Sequence, residues 1–188
     1  MSRETILHFD LLRSAERKQI FGTVVAALPD ACKGKVASVV DDASIRASEQ
    51  LSHLMQVERA IDTTVAPDEA KERAKDVYRI LAQAEAQVHG CSVEDTHFHE
   101  VGLGRTVREV LGICTAVELL GPERITATSV QVGSGTVECS HGLLDIPAPA
   151  TAAILEYYTI PIAEERLEGE LCTPTSAALI ANLVKEFI

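Results

Sequence analysis

Hydrophobic residues recur at helical spacing through the first part of the chain. Ser14 is suited to cap a helix, and the apolar positions that follow it stop at Pro29. A second apolar stripe keeps one face for much of residues 35–62, with a break near Ser44. We therefore predict a helical N-terminal region over residues 1–66.

Proline and glycine mark the ends of further predicted helices. Pro67 opens a helix that stops at Gly90, since proline favours the start of a helix and glycine its end. Thr106 and Glu109 fit a capping box, which predicts a helix that begins there and ends at Gly121. The charged residues expected on the solvated face of the first of these helices are Lys71, Glu72, Arg73, Lys75 and Asp76.

A short antiparallel sheet is predicted to follow. Residues 124–132 form its first strand, residues 133–135 a turn, and residues 136–139 the returning strand of a hairpin. A bend at His141 and Gly142 then leads into residues 143–146, which extend the sheet.

The end of the chain is predicted to be helical again. Pro147 and Pro149 lead into a short helix, and Thr173 caps a last, mostly apolar helix. Helices packed on one short antiparallel sheet indicate an α+β fold. We expect the helical region 1–66 to be followed by an α+β domain over residues 67–188.

Composition narrows the class of partner. The 188 residues carry a formal net charge of −11, which argues against binding nucleic acid through its phosphates. The start of the chain lacks a signal-peptide pattern, and no apolar run is long enough to cross a membrane. We expect a cytoplasmic protein with neither a nucleic-acid nor a membrane partner.

The 5 scattered cysteines suggest neither a disulfide framework nor a structural zinc site.

The segment His97-Phe98-His99-Glu100 is the strongest candidate for chemistry. Side chains alternate along an extended segment, so His97 and His99 would share one face and Glu100 would lie on the other. Two imidazoles and a carboxylate suit nickel, zinc, copper or iron, and the spacing does not choose among them. The alternative is a partly exposed, hydrogen-bonded histidine pair, the commoner origin of this spacing.

A second cluster, Cys139-Ser140-His141, strengthens the metal interpretation. In a strand, Cys139 and His141 would share a face and add a sulfur and a third nitrogen. His89 is expected to be a favourable charge at a helix end, with membership of the histidine cluster as the alternative. The candidate metal ligands are therefore His97, His99, Glu100, Cys139 and His141.

Two features are candidates for binding the phosphate of a nucleotide. A helix that starts near Thr106 would offer free amides to an anion. The Gly133-Ser134-Gly135 segment is either turn punctuation or a weak phosphate cradle, because it lacks the spacing of either nucleotide fingerprint. The candidate nucleotide-binding residues are Thr106, Gly133, Ser134 and Gly135.

Several motifs, taken in order, together resemble one family. They are His97-Phe98-His99-Glu100-Val101-Gly102, Val132-Gly133-Ser134-Gly135-Thr136-Val137, His141-Gly142, Pro147-Ala148-Pro149-Ala150-Thr151 and Gly169-Glu170-Leu171-Cys172-Thr173-Pro174-Thr175. Over residues 67–188 the chain resembles the LarC family of nickel-insertion proteins.

The resemblance implies an activity. LarC proteins insert nickel into a pyridinium bis-thiocarboxylate mononucleotide with hydrolysis of CTP, a lyase (nickel chelatase) reaction that makes the nickel-pincer nucleotide cofactor of lactate racemase-type enzymes. Nickel and the mononucleotide are therefore the expected metal and substrate. The family's CTP-binding C-terminal domain is expected to lie on another chain. The expected partners are a second chain that carries this domain and a racemase-like apo-enzyme.

Departures from the family pattern keep a second hypothesis open. The family's glycine-rich opening is reduced to Phe9-Asp10, and Arg105 and Glu109 stand where aspartates are common, so Arg105 reverses a charge beside the histidines. The chain is expected to be either a divergent nickel-insertion component or a non-catalytic module that binds metal, nucleotide or a partner. In the second case residues 1–66 would be an interaction surface. A globular scaffold without metal is the third alternative.

Overall fold

The computed structural model describes residues 5–140 and 142–188, which combine helices with short strands. The helices are α1 (Arg17–Ala27), α2 (Asp30–Val40), α3 (Leu54–Asp62), α4 (Asp68–His89), α5 (Gly104–Leu120), α6 (Pro149–Tyr157) and α7 (Pro174–Leu183). The strands are β1 (Ile6–Phe9), β2 (Arg124–Ala127), β3 (Gly133–Ser134), β4 (Thr136–Cys139), β5 (Gly142–Asp145), β6 (Gly169–Glu170) and β7 (Glu186–Phe187). The α+β class is confirmed. Among the described residues, no helix is long and apolar enough to cross a bilayer.

The largest sheet is parallel, in the order β1-β2-β7. β1 runs beside β2 from the pair Ile6 and Arg124 to the pair Phe9 and Ala127. The predicted hairpin between residues 124–132 and 136–139 is therefore wrong, because both neighbours of β2 come from the distant ends of the chain. The region predicted as all-helical also contains β1.

The antiparallel pairing that was predicted occurs one step later in the chain. β4 pairs with β5 from Thr136 and Asp145 to Cys139 and Gly142. The bend was predicted at His141 and Gly142; Gly142 lies in β5, and His141 lies outside the described residues. The preceding β3 pairs instead with β6, antiparallel.

The N-terminal helices are shorter than the apolar stripe suggested. The stripe over residues 35–62 divides into α2 and α3, and the predicted break near Ser44 lies in the connection between them. Ser14 does not cap α1, whose N-cap is Glu16. The Ser14 side chain is instead bonded to Glu16 itself.

Helix α4 contacts four other helices, α3, α5, α6 and α7. One hydrophobic core contains residues from both sides of Pro67, among them Val57 and Val107. The division into residues 1–66 and 67–188 stays a prediction. Lys75 was wrongly placed on a solvated face: it is 9% exposed, and its Nζ lies 2.6 Å from a carboxylate oxygen of Asp62, at the end of α3.

Candidate functional site

The histidine segment is an irregular loop between α4 and α5. Phe98 points inward, is 1% exposed, and packs against Tyr78 with ring centroids 5.9 Å apart. His97 and His99 on either side are exposed, and their ring centroids are 5.1 Å apart. The burial of Phe98 thus holds two imidazoles side by side at the surface, as the alternation predicts.

The connection between α2 and α3 fixes the backbone of this loop. The Phe98 N–H donates to Ser52 O at 2.7 Å, and Gln50 Nε2 donates to Phe98 O at 2.7 Å. The Leu51 N–H donates to Gly102 O at 2.9 Å. A Cβ atom on Gly102 would lie 1.9 Å from Leu51 O, so this close approach requires glycine.

The loop lines a cavity of about 350 Å³. Its other walls come from the ends of α4 and of β4, from β6, and from the N-termini of α5, α6 and α7. The polar side chains that line it are Arg17, Glu85, His89, His97, His99, Glu100, Arg105, Thr106, Cys139, Ser140, Glu170, Thr173 and Thr175. The alternative for His89 therefore gains geometric support, although its Nε2 also lies 3.5 Å from Glu85.

The cavity brings together four of the five candidate ligands. Glu100 was expected on the face opposite the histidines, but the chain bends at His99 and Glu100, so all three side chains reach the cavity. Glu100 Oε1 accepts from the Ser140 N–H at 3.3 Å, which ties the loop to the residue that follows β4. Cys139 is the last residue of β4. His141, the fifth candidate, lies outside the described residues.

Two further residues were missed by the sequence analysis. The His53 ring lies 4.9 Å from the His97 ring, and His53 Nδ1 is 2.9 Å from Thr96 O. A carbonyl oxygen only accepts, so Nδ1 of His53 donates this hydrogen bond. Nothing in the spacing of His53 and His97 signals this contact.

Glu170 is the second missed residue, although it belongs to one of the motifs that carried the family resemblance. It is partly buried in the cavity wall. Burial, and then the negative charge of Glu100, raise the pKa of Glu170 above its ordinary value. The two carboxyl groups therefore favour a cation or a proton between them.

These side chains share the cavity without converging on one point. Among residues 5–140 and 142–188, no group of three or more Cys, His, Asp or Glu side chains is arranged to hold a metal ion. The described candidates thus form a lining of potential ligands.

Cys139 places a thiol group in the lining of the cavity. Cys114 lies in the core, as predicted, and burial raises its pKa to about 12. Burial, with a smaller effect of Glu170, also raises the pKa of Cys172 to about 12. Both groups therefore remain protonated thiols at neutral pH.

The candidate nucleotide-binding residues occupy different environments. Helix α5 begins at Gly104, so Thr106 is not its cap, and Thr106 lines the cavity. The first amides of α5 are already bonded, from Gly104 to Glu49 O at 2.7 Å and from Arg105 to Ala47 O at 3.0 Å. The start of α5 therefore does not offer the free amides that were expected there.

The glycine segment lies outside the cavity lining. The Gly133 N–H donates to Gln131 Oε1 at 3.0 Å, and the Ser134 hydroxyl donates to Leu167 O at 2.8 Å. A Cβ atom on Gly133 would lie 1.8 Å from Gly169 O. The contacts of Gly133 and Ser134 thus support the pairing of β3 with β6, so the first two residues of the predicted turn at 133–135 belong to a strand.

Comparison with known proteins gives one consistent result. A family model described as "Nickel insertion protein" matches residues 10–188. The relatives from Staphylococcus epidermidis, Clostridium kluyveri and Desulfitobacterium hafniense are among the curated proteins that bear the name pyridinium-3,5-bisthiocarboxylic acid mononucleotide nickel insertion protein. The one from Staphylococcus epidermidis is 39% identical over 143 residues, which are 76% of this chain and 36% of the relative.

The other two relatives show similar identity and coverage. The relative from Clostridium kluyveri is 40% identical over 134 residues, 71% of this chain and 33% of its own. The relative from Desulfitobacterium hafniense is 38% identical over 135 residues, 72% of this chain and 33% of its own. The chain thus spans about a third of the length of these relatives. No solved structure gives a significant match.

Proposed function

Because the chain belongs to the nickel insertion protein family, we propose that its cavity binds nickel as cargo for insertion into a pyridinium bis-thiocarboxylate mononucleotide. The relatives' names specify this substrate. The observation that carries the proposal is the pair of exposed imidazoles, His97 and His99, beside Glu100 and Cys139 on one cavity.

The chemistry of these side chains suits transfer of the metal. Imidazole nitrogens and a thiolate are good nickel ligands, and a carboxylate adds charge. A protein that passes a metal on needs ligands that it can release to the acceptor, whose thiocarboxylate sulfurs compete for the same ion. Exposed histidines on a surface loop meet that need better than a closed set of four ligands.

The proposal concerns the part of the reaction that this chain can support. Since the chain spans about a third of the relatives' length, we propose that CTP chemistry requires the remaining portion of the relatives, whether the same protein or a partner chain supplies it. A racemase-like apo-enzyme would then receive the completed cofactor.

An anaerobic nickel titration of the untagged protein tests the proposal. We expect saturable binding near one metal per chain. The His97→Ala, His99→Ala double variant should bind nickel at least about ten-fold more weakly, because removing a ligand should lower the metal affinity more than removing a residue that only orients a ligand. The matched control is His8→Ala, because His8 is exposed, bonds to Thr126 and lies outside the cavity. Circular dichroism checks that each variant is folded.

Two results would contradict the proposal. If the wild-type protein shows no saturable binding, the cavity does not carry nickel. If the double variant binds as tightly as His8→Ala, the metal lies elsewhere. The first result would favour a non-catalytic module that binds a nucleotide or a partner protein.

A further inference from the structure

The N-termini of α6 and α7 meet the same cavity as the histidines. Ala148, Pro149 and Ala150 line it from α6, which has 9 residues, and Thr173, Pro174 and Thr175 line it from α7, which has 10. The N-terminus of a helix carries partial positive charge and unsatisfied N–H groups. Two such ends at one cavity make it attractive to an anion.

Several donors at these ends lack partners in the described part of the chain. The first backbone bond at the start of α6 is donated by Ala152, which leaves the N–H groups of Ala150 and Thr151 unpaired there. In α7 the Thr173 side chain accepts from Ser176 N, and no described group accepts from the Thr175 N–H. The amides at the start of α5, by contrast, are bonded to the loop that precedes α3.

The Thr175 side chain provides an independent observation. Thr175 is 1% exposed and lines the cavity, yet its hydroxyl has no hydrogen-bond partner among the described residues. A buried hydroxyl without a partner costs free energy unless a ligand satisfies it.

Arg105 adds a positive charge to the cavity lining. It is exposed, and its guanidinium group makes no hydrogen bond or ion pair with the described residues. Arg17 also lines the cavity, but its Nε lies 3.1 Å from Glu109, so its charge is partly neutralised. The charge of Arg105, unfavourable beside a nickel ion, is favourable beside a phosphate.

We propose that the N-termini of α6 and α7, with the Thr175 hydroxyl and Arg105, bind the phosphate monoester group of a nucleotide. This inference rests on the proposed function, because it places the phosphate of the mononucleotide in the cavity that presents the nickel ligands. A ligand with a metal-binding end and a phosphate end matches a cavity that offers histidines and carboxylates together with helix N-termini. The same groups could equally donate hydrogen bonds to the phosphate of a cytidine nucleotide.

Calorimetric titration with inorganic phosphate, in chloride buffer and without nickel, tests the site. We expect saturable binding that Thr175→Val weakens about ten-fold, since a hydrogen bond to a charged group is lost while the shape is kept. The matched control is Thr115→Val, a buried threonine of α5 that bonds to Leu111 O and lies outside the cavity. It should bind phosphate as the wild type does.

A second variant keeps the test decisive if Thr175→Val folds poorly. Arg105→Gln changes an exposed side chain and should also weaken phosphate binding about ten-fold, whereas Arg166→Gln, exposed and outside the cavity, should not. Absence of saturable phosphate binding, or equal affinity in Arg105→Gln and Arg166→Gln, would overturn the proposal. Because no nickel is present, neither outcome depends on whether the histidines bind the metal.

Titrations with two nucleoside monophosphates then identify the source of the phosphate. Nicotinic acid mononucleotide represents a pyridinium mononucleotide, and cytidine monophosphate represents the product side of CTP chemistry. Tighter binding of the first assigns the site to the substrate, and tighter binding of the second assigns it to the cytidine nucleotide. In either case, Arg105→Gln should weaken binding of the nucleotide as it weakens binding of inorganic phosphate.

Discussion

Gly102→Ala tests how the histidine loop is held. The added methyl group would lie 1.9 Å from Leu51 O and 3.0 Å from the Phe98 Cβ atom. The first of these neighbours is a backbone atom, which cannot rotate away as a side chain could. The two segments must therefore separate by more than about 1 Å before the carbon–oxygen distance reaches a normal contact. The substitution should therefore displace the loop that carries His97 and His99.

The expected cost follows from the bonds that join the segments. Separation would break or stretch the bonds from Leu51 N to Gly102 O, from Phe98 N to Ser52 O and from Gln50 Nε2 to Phe98 O. Each contributes about 1 kcal/mol net, so the free energy of unfolding should fall by about 2–3 kcal/mol. For a chain of this length that is a fall in Tm of about 4–12 °C.

Urea unfolding followed by circular dichroism measures the change, and a nickel titration of the folded variant measures its effect on the site. The matched control is Gly34→Ala, because Gly34 lies inside α2 and a Cβ atom there meets nothing within 4 Å. This control should be more stable than wild type by about 0.5–1 kcal/mol. If Gly102→Ala proves as stable as wild type and binds nickel equally well, the connection between α2 and α3 does not position the histidines.

The remaining predictions concern a carboxylate at the end of α2 and the thiol in the cavity. Burial acts to raise the pKa of Asp42, but hydrogen bonds from Ser44 and Val65 and the charge of Arg108 together lower it below 3.8. A carboxyl group whose pKa is lowered by folding stabilises the fold above its unfolded-state pKa and loses that effect as pH falls through its folded-state pKa. Asp42→Asn should therefore be less stable than wild type at neutral pH, and the difference in free energy of unfolding, measured in urea, should shrink as pH falls below about 4. A difference that does not vary with pH would contradict this reasoning. Cys139→Ser should remove sulfur-to-nickel charge-transfer absorption from the nickel-loaded protein, and an unchanged spectrum would exclude this thiol as a ligand.

Helices with strong local signals were predicted well from the sequence. α4 runs from Asp68 to His89 between Pro67 and Gly90, as the proline and glycine indicated. Thr173 caps α7 through a bond from Ser176 N at 3.3 Å. In both cases the residues that determine where the helix starts or ends are close together in the chain, so capping and helix-propensity rules are sufficient to predict it.

The parallel sheet was missed because its partners are distant and its strands are short. Leu7 in β1 is paired with Ile125 in β2, and β7 has 2 residues. No turn signal links such strands, whereas β4 and β5 are separated by only 2 residues of the chain. The capping box at Thr106 failed for a related reason, since distant carbonyls already satisfy the amides of α5.

The candidate site was predicted in part. The shared side of His97 and His99 follows from simple alternation around Phe98, and the motif order indicated the family. The place of Glu100 depends on a bend in the loop, and the contact of His53 with His97 depends on tertiary packing. The helix N-termini at the cavity also became visible only when α6 and α7 were seen together.

The attachment of the histidine loop to residues 50–53 has a consequence for the order of events in folding. Contacts between residues far apart in the chain cost loop-closure entropy and tend to form after local helices. Helices α3 and α4, which lie between the two attached segments, are such local elements. A newly synthesised chain therefore has no fixed pair of imidazoles until the loop docks, and we expect nickel to be acquired by the folded protein rather than to guide its folding.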